Sequence, residues 1–271
     1  FYDHIMNEKN VWSFPRLLKN GIYDAGKEYG GMWCENIRYH GSVHAGWLLS
    51  ARALDRYNSE FNYLQSEEMK KMARMWVTAQ GPKLTVSTNA RNLAGYLTVG
   101  DSYWRENVDM AAWCASIYKA SDPELSRELM YTWDRMGSAL GGSYSINILM
   151  DNDPTLQRQN PKLGSVYLNN VGYTYFRQNF DVLGKENVIL IPNSPGYGNK
   201  KQPIHDHSDR GSFSYIANGV PMSLDSGMGS YFGSDSAFWR SSRSHNEILF
   251  WSDQQGWLSN AVGDGNSYTS D

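Results

Sequence analysis

Histidines and aspartates concentrate in Ile204-His205-Asp206-His207-Ser208-Asp209-Arg210-Gly211-Ser212-Phe213, just ahead of a segment that alternates like a β-strand. Such a run can bind a metal or move a proton. His205 and His207 are two of the chain's six histidines and are separated by one residue. In an extended backbone their imidazoles point to opposite sides, so one can face a substrate while the other faces a buried partner. Further on, Leu224-Asp225-Ser226-Gly227 and Arg243-Ser244-His245-Asn246 add a carboxylate and another imidazole. His207, Asp225 and His245 are a reasonable set for zinc, with a fourth position for water or another side chain. The competing reading is a buried, hydrogen-bonded polar cluster without a metal. Arg240 and Arg243 flank the set and can hold a carboxylate; each can equally be a solvated surface charge.

A second group precedes a helical pattern: Trp33-Cys34-Glu35-Asn36-Ile37-Arg38-Tyr39-His40. Glu35, Tyr39 and His40 are acid/base side chains placed near a helix start. His40 and His44 are four apart and share a face if the helix begins early enough. That spacing is half of a zinc-protease motif, but His-Gly-Ser-Val-His lacks the glutamate that such a protease uses as its base. The plain alternative is two histidines that cap and pack.

The elements that must position these groups change character along the chain. Residues 1–140 read as helical: Trp47, Ala51 and Leu54 recur at helical spacing between Ser42 and about Asn58. Ser66 to Gln80 follows, with Met69, Met72, Ala73 and Trp76 on one face, acidic residues in the first turn and Gly81-Pro82 as the stop. A helix around Val108 to Ala120 carries Met110, Cys114 and Ile117. Ser121-Asp122-Pro123-Glu124 reads as a capping box opening a helix with Leu125, Leu129, Trp133 and Met136 aligned. Beyond Gly141-Gly142 the pattern turns to strands: Val166–Leu168, Gly172–Arg177, Asn187–Ile191, Ser212–Ala217, Val220–Leu224 and Glu247–Trp251, with Asn218-Gly219 as a hairpin turn. Helices followed by strands predict two segregated layers or domains, cut here into a helical part, 1–143, and a β part, 144–271.

Composition narrows the function classes. The 271 residues carry a net charge of −3, so no basic excess exists to neutralise nucleic-acid phosphates. No apolar run approaches the length of a membrane span and no signal peptide is visible. The chain opens on Phe1, which reads as a processed or excised piece. Aromatic residues reach 14%, which suits either a core rich in large rings or a groove where flat sugar faces stack. Cys34 and Cys114 are too few for a disulfide framework, and two reduced core thiols are expected.

Taken together, the two groups resemble the heparinase II/III-type polysaccharide lyases and the related alginate lyases. Trp33, Glu35, Tyr39 and His40 resemble that family's Trp-x-Glu-x-x-x-Tyr-His segment, and Val99-Gly100-Asp101-Ser102 resembles a later Gly-Asp-Ser turn. His205 to Phe213, Asn218-Gly219, Asp225 to Gly227, and an Arg (240 or 243) ahead of His245-Asn246 resemble the opening of its β domain. The resemblance runs from about Gly31 to Phe250 and implies an α+β chain: an incomplete (α/α) toroid followed by part of an antiparallel β-sandwich. The family's carboxylate-neutralising Asn or His, upstream of the Tyr segment, has no clear counterpart before Tyr39.

The implied reaction is β-elimination across a 4-linked uronic acid, which leaves an unsaturated uronate end. Tyr39 resembles the catalytic acid, and also the base for some sugar stereochemistries, with His205 opposite it. Glu35, His40, Trp239, Arg240 and Arg243 are assigned to substrate contact. A structural zinc on His207, Asp225 and His245 would fix the loop carrying His205. The implied partner is an acidic polysaccharide, met in the periplasm or outside the cell, and a homodimer is compatible. A zinc-dependent glycan hydrolase and a non-catalytic glycan-binding module are the rival readings.

Overall fold

The structure is a computed structural model that describes residues 6–7, 9, 13–20, 30–33, 36–86, 93–104, 108–138, 151, 153, 155–193, 207, 209–227, 229, 236–248, 250–252 and 256–258. It divides into two compact units: residues 1–80 with 107–161, and residues 81–106 with 162–271. A single cut between 143 and 144 does not reproduce this division. Residues 81–106, read from the sequence with the helical half, fall in the second unit.

The first unit is built on helices. After α1 (Phe14–Asn20), α2 spans Ile37–Tyr57 and starts five residues earlier than its apolar spacing predicts. The reason is its cap: the Asn36 side chain accepts from the backbone N–H of Arg38 at 3.0 Å and of Tyr39 at 3.3 Å. Those two donors would otherwise be orphaned in the first turn. Helix α3, Glu67–Thr78, is capped by Ser66, whose hydroxyl accepts from Met69 N. The expected face is the buried one: Met69, Met72, Ala73 and Trp76 are all almost fully enclosed. Burying each of the large ones contributes about 1.5–3 kcal/mol.

Helix α4, Asp109–Tyr118, is enclosed nearly all round and acts as the unit's central rod. Its Cys114 is a free, buried thiol, whereas Cys34 lies outside the described residues. Helix α5, Pro123–Arg135, is capped by Asp122, which accepts from Leu125 N at 3.0 Å. The expected capping residue Ser121 is instead hydrogen-bonded to Gln65. Proline at N1 explains the shift, because its fixed φ places the residue before it at the cap.

The second unit holds a five-stranded antiparallel meander in the order β3–β4–β5–β6–β7: Val166–Leu168, Tyr173–Gln178, Asn187–Pro192, Ser214–Ala217 and Val220–Ser223. Val188, Leu190 and Pro192 point inward from β5 while the residues between them are half-buried, a period of two. The register places Leu190 opposite Tyr175 on one side and Ser214 on the other, and Val188 opposite Ile216. The predicted turn joins β6 to β7, with φ of 51° at Asn218 and 74° at Gly219. Both positive values fit the type I′ geometry that matches strand twist.

Two short strands of the helical-looking half, β1 (Gln80–Lys83) and β2 (Ala94–Tyr96), pair with each other. Lys83 ties this segment to the sheet. Its N–H donates to the buried Glu186 carboxylate at 2.7 Å and its ammonium meets Asp181 at 2.7 Å. Thr85 N donates to Gly219 O at 2.9 Å, which adds the hairpin turn to the same attachment. Near the C-terminal end come α6 (Ser236–Arg240), a 3-10 turn at Ser242–Ser244, and the pair β8 (Phe250–Ser252) and β9 (Gly256–Leu258).

Candidate functional site

In the first unit, the cap on α2 sets the local geometry. Tyr39 sits half-buried in the first helical turn, and the Arg38 guanidinium carbon is 5.7 Å from its ring centroid. A helix N-terminus carries partial positive charge, and this first turn contains no acidic residue to cancel it.

His40, read from the sequence as a substrate contact, is instead committed to the interior. It is fully buried, its Nε2 donates to Met72 O at 2.9 Å, and its Nδ1 accepts from Trp33 N at 3.1 Å. Both nitrogens are spent on backbone, so the ring ties the 30–33 segment, α2 and α3 together. His44 lies on the same face as expected, with the two rings 5.2 Å apart, and its Nδ1 accepts from Trp76 Nε1 at 3.2 Å. Burial lowers His40 to about 4, although its bond to Met72 works the other way. Burial also lowers His44, and the neighbouring His40 adds to that. Glu35 lies outside the described residues.

In the second unit, the segments singled out for their histidines and aspartates do meet. His207 and His245 are both buried and their ring centroids are 5.3 Å apart. Each ring gives one nitrogen to a carboxylate: His207 Nε2 donates to Asp101 Oδ1 at 2.7 Å, and His245 Nδ1 donates to Asp225 Oδ2 at 2.7 Å. The other nitrogens, His207 Nδ1 and His245 Nε2, are buried without a hydrogen-bond partner among the described residues.

Asp209 is the third buried carboxylate of this cluster, and its Oδ2 accepts from Gly100 N at 2.8 Å. Burial pushes its carboxyl up, with the Asp225 charge adding to the shift and His245 and His207 opposing it. Burial alone would lower His245, but the hydrogen bond and charge of Asp225, joined by Asp209 and Glu247, raise it overall.

The predicted trio of His207, Asp225 and His245 is thus assembled in one place but is not a closed ligand set. Asp225 has spent Oδ2 on His245, while its Oδ1 accepts from Gly227 N at 2.9 Å. Among the described residues no three His, Cys, Asp or Glu side chains are grouped as a ready metal site. The donor chemistry still suits a cation. Two imidazole nitrogens without a partner among the described residues belong to the same buried cluster as three carboxylates, and imidazole nitrogen and carboxylate oxygen are the donor types a divalent cation takes.

Asp101 and Asp209 lie within the sequence motifs, but the sequence assigns neither a role. Their signal was present in the Gly-Asp-Ser turn and in the acid two residues after His207, but nothing in the spacing tells that they meet. The 98–102 turn is built to hold them. Ser102 Oγ accepts from Val99 N and donates to Val99 O, each at 2.8 Å, while Thr98 Oγ1 donates to Asp225 O at 3.0 Å. Gly227 lies against the same turn: its φ is +62°, and an added Cβ would stand 2.7 Å from Ser102 O. Gly227→Ala is therefore expected to destabilise the second unit by roughly 1–3 kcal/mol, through backbone strain and the forced displacement of the turn. Urea unfolding with a second-unit probe would read this, and an unchanged midpoint would rule out the close approach.

The remaining predicted contacts lie near His245. Trp239 and Arg240 are half-buried at the end of α6, and Arg243 is exposed in the 3-10 turn just before His245. His245 N closes that turn onto Ser242 O, and Asn246 Nδ2 donates to Phe213 O at 3.0 Å. His205 lies outside the described residues.

Comparison with known proteins agrees with the resemblance carried by the motifs. Residues 160–250 match the family model Heparinase II/III-like, C-terminal, so this part of the chain is heparinase II/III-like. No curated protein matches the chain. Among solved structures, a mutant of the heparan sulfate lyase HepC from Pedobacter heparinus is similar, with a TM-score of 0.57 and 19% identity over 87% of this chain and 32% of that one. A structure described as heparinase III gives a TM-score of 0.56 and 20% identity, covering 87% of this chain and 34% of its own. At such identities the likeness is one of fold: mixed helices and an antiparallel sheet. The chain spans about a third of the length of these structures. Among the described residues, no helix is long and apolar enough to cross a membrane.

Proposed function

We propose that the chain is part of a polysaccharide lyase that cleaves a uronic-acid polymer by β-elimination. In this reading it comprises part of an (α/α) toroid and the opening of a β-sandwich, and it works outside the cytoplasm. The observation that carries the reading is that the heparinase II/III-like segment 160–250 brings His207, Asp225 and His245 into one buried cluster. The same motif supplies His205 two residues before His207.

β-Elimination removes the weakly acidic C5 proton beside the uronate carboxylate and protonates the departing glycosidic oxygen. Tyr39 is the residue assigned to the leaving oxygen. It stands in the first turn of a capped helix, with the Arg38 guanidinium carbon 5.7 Å from its ring centroid. His205 is assigned to proton abstraction and Arg243, with Arg240, to the uronate carboxylate, where neutralising charge stabilises the enolate. His40 is not a substrate contact in this scheme; it holds the Tyr39 turn against α3. A zinc ion, if bound, would be held by His207 Nδ1 and His245 Nε2, and would supply charge that fixes the His205-bearing segment.

The test is a screen of uronate polysaccharides, among them heparan sulfate, hyaluronan, chondroitin, alginate and ulvan, with the full-length protein. The expected result is an ultraviolet chromophore of an unsaturated uronate from at least one polymer. Chain cleavage without that chromophore would instead establish a hydrolase. Binding without any cleavage would establish a carbohydrate-binding module.

A further inference from the structure

We propose that Asp101 is a positioning residue that sets the tautomer of His207, holding the proton on Nε2 so that Nδ1 is the nitrogen left with a lone pair. The tautomer assignment stands on the hydrogen bond itself; its use for metal binding rests on the zinc reading above.

A neutral imidazole carries its proton on either nitrogen, and the partner of one nitrogen decides what the other can do. His207 Nε2 lies 2.7 Å from Asp101 Oδ1, with the two side chains 0% and 3% exposed. A carboxylate only accepts, so the proton sits on Nε2 and Nδ1 is left with a lone pair. Nδ1 is also buried without a hydrogen-bond partner among the described residues. On the neighbouring ring Asp225 imposes the opposite choice by accepting from Nδ1 of His245, which leaves Nε2 open. Two carboxylates from distant segments thus select opposite nitrogens on two adjacent rings.

Asp101 is set in a turn that holds the His207 segment and the Asp225 segment, whose carboxylate partners His245. The residue before it donates to Asp209, two positions after His207, and Thr98 donates to the backbone of Asp225. A carboxylate that merely filled space would not need this placement. Its removal is therefore expected to free the His207 ring.

The experiment compares wild type, Asp101→Asn and Asp101→Ala, all as full-length metal-stripped protein with 15N-labelled histidine. In the wild type His207 should give the Nε2–H pattern. In Asp101→Ala the two tautomers should mix, and in Asp101→Asn, which keeps a neutral acceptor of the same shape, the change should be smaller. Cobalt(II) affinity, read by competition with a chromophoric chelator, should fall about 10–100-fold in Asp101→Ala, as for other outer-shell partners of metal-bound histidines. A fixed Nε2–H signal in both variants would overturn the role of Asp101. Wild-type protein that binds no cobalt would overturn the zinc reading alone, because the tautomer measurement decides on Asp101 without any metal.

Discussion

Tyr39→Phe in the full-length protein is expected to reduce release of unsaturated uronate by roughly 10²–10⁴-fold, the range for loss of a positioned general acid. The loss should appear in kcat, with KM changed little, because the substitution removes one oxygen and keeps the ring. The cap of α2 should be unaffected. The start of α2 depends on the Asn36 side chain bonding the backbone N–H groups of Arg38 and Tyr39, and neither bond involves the phenol oxygen. A thermal melt of the variant therefore serves as the control. Arg38→Gln tests the environment separately: it takes away the charge 5.7 Å from the ring while leaving the acid in place, so a smaller fall in kcat is expected. Turnover of Tyr39→Phe within about twofold of wild type would remove Tyr39 from the mechanism. The chromophore screen would then have to be explained by another acid.

Where the pattern was local, the sequence sufficed. The strand Asn187–Pro192 alternates buried and half-buried residues as its Val, Leu and Ile spacing requires, and Asn218-Gly219 adopts the turn its side chains favour. The apolar faces of α3 and α5 were likewise readable, since a 3.6-residue period is written in Met69, Met72, Trp76 and Leu125, Leu129, Trp133. Pairings made at long range were not readable. Gln80–Lys83 contains Gly and Pro and no β-branched residue, yet it is a strand. Its attachment comes from Glu186, Asp181 and Gly219, about 100 residues or more further along. No local propensity encodes that, and so residues 81–106 read as belonging with the helices.

The same distinction governs the site. His207, Asp225 and His245 stand out in the sequence because their residue types announce chemistry, and the fold brings the three side chains together. Asp101 is one aspartate among many until the fold places it against His207, 106 positions away. His40 misled for the opposite reason: beside a tyrosine it has the look of a catalytic group, and only burial shows that both its nitrogens are taken.

That burial has a consequence in acid. In the unfolded chain His40 takes up a proton near the ordinary histidine value of 6.5, whereas in the folded unit it stays neutral down to about 4. Between these values the unfolded state binds more protons, so stability rises with pH. The contribution of His40 is complete above about 6.5 and is lost as pH falls toward 4, at about 1.4 kcal/mol for each pH unit. His44 is shifted in the same direction and steepens the loss. Urea unfolding of the first unit should therefore give a free energy lower by about 2 kcal/mol at about pH 5 than at about pH 7.5 from His40 alone. His40→Gln separates this from every other titrating group. The amide can still donate to Met72 O, so the variant should fold, with lower stability near neutrality because the bond from Trp33 N is lost. Its dependence on pH should be shallower by close to one proton. Equal slopes for the variant and the wild type would mean that the His40 ring is not enclosed, and that the turn carrying Tyr39 is held in some other way.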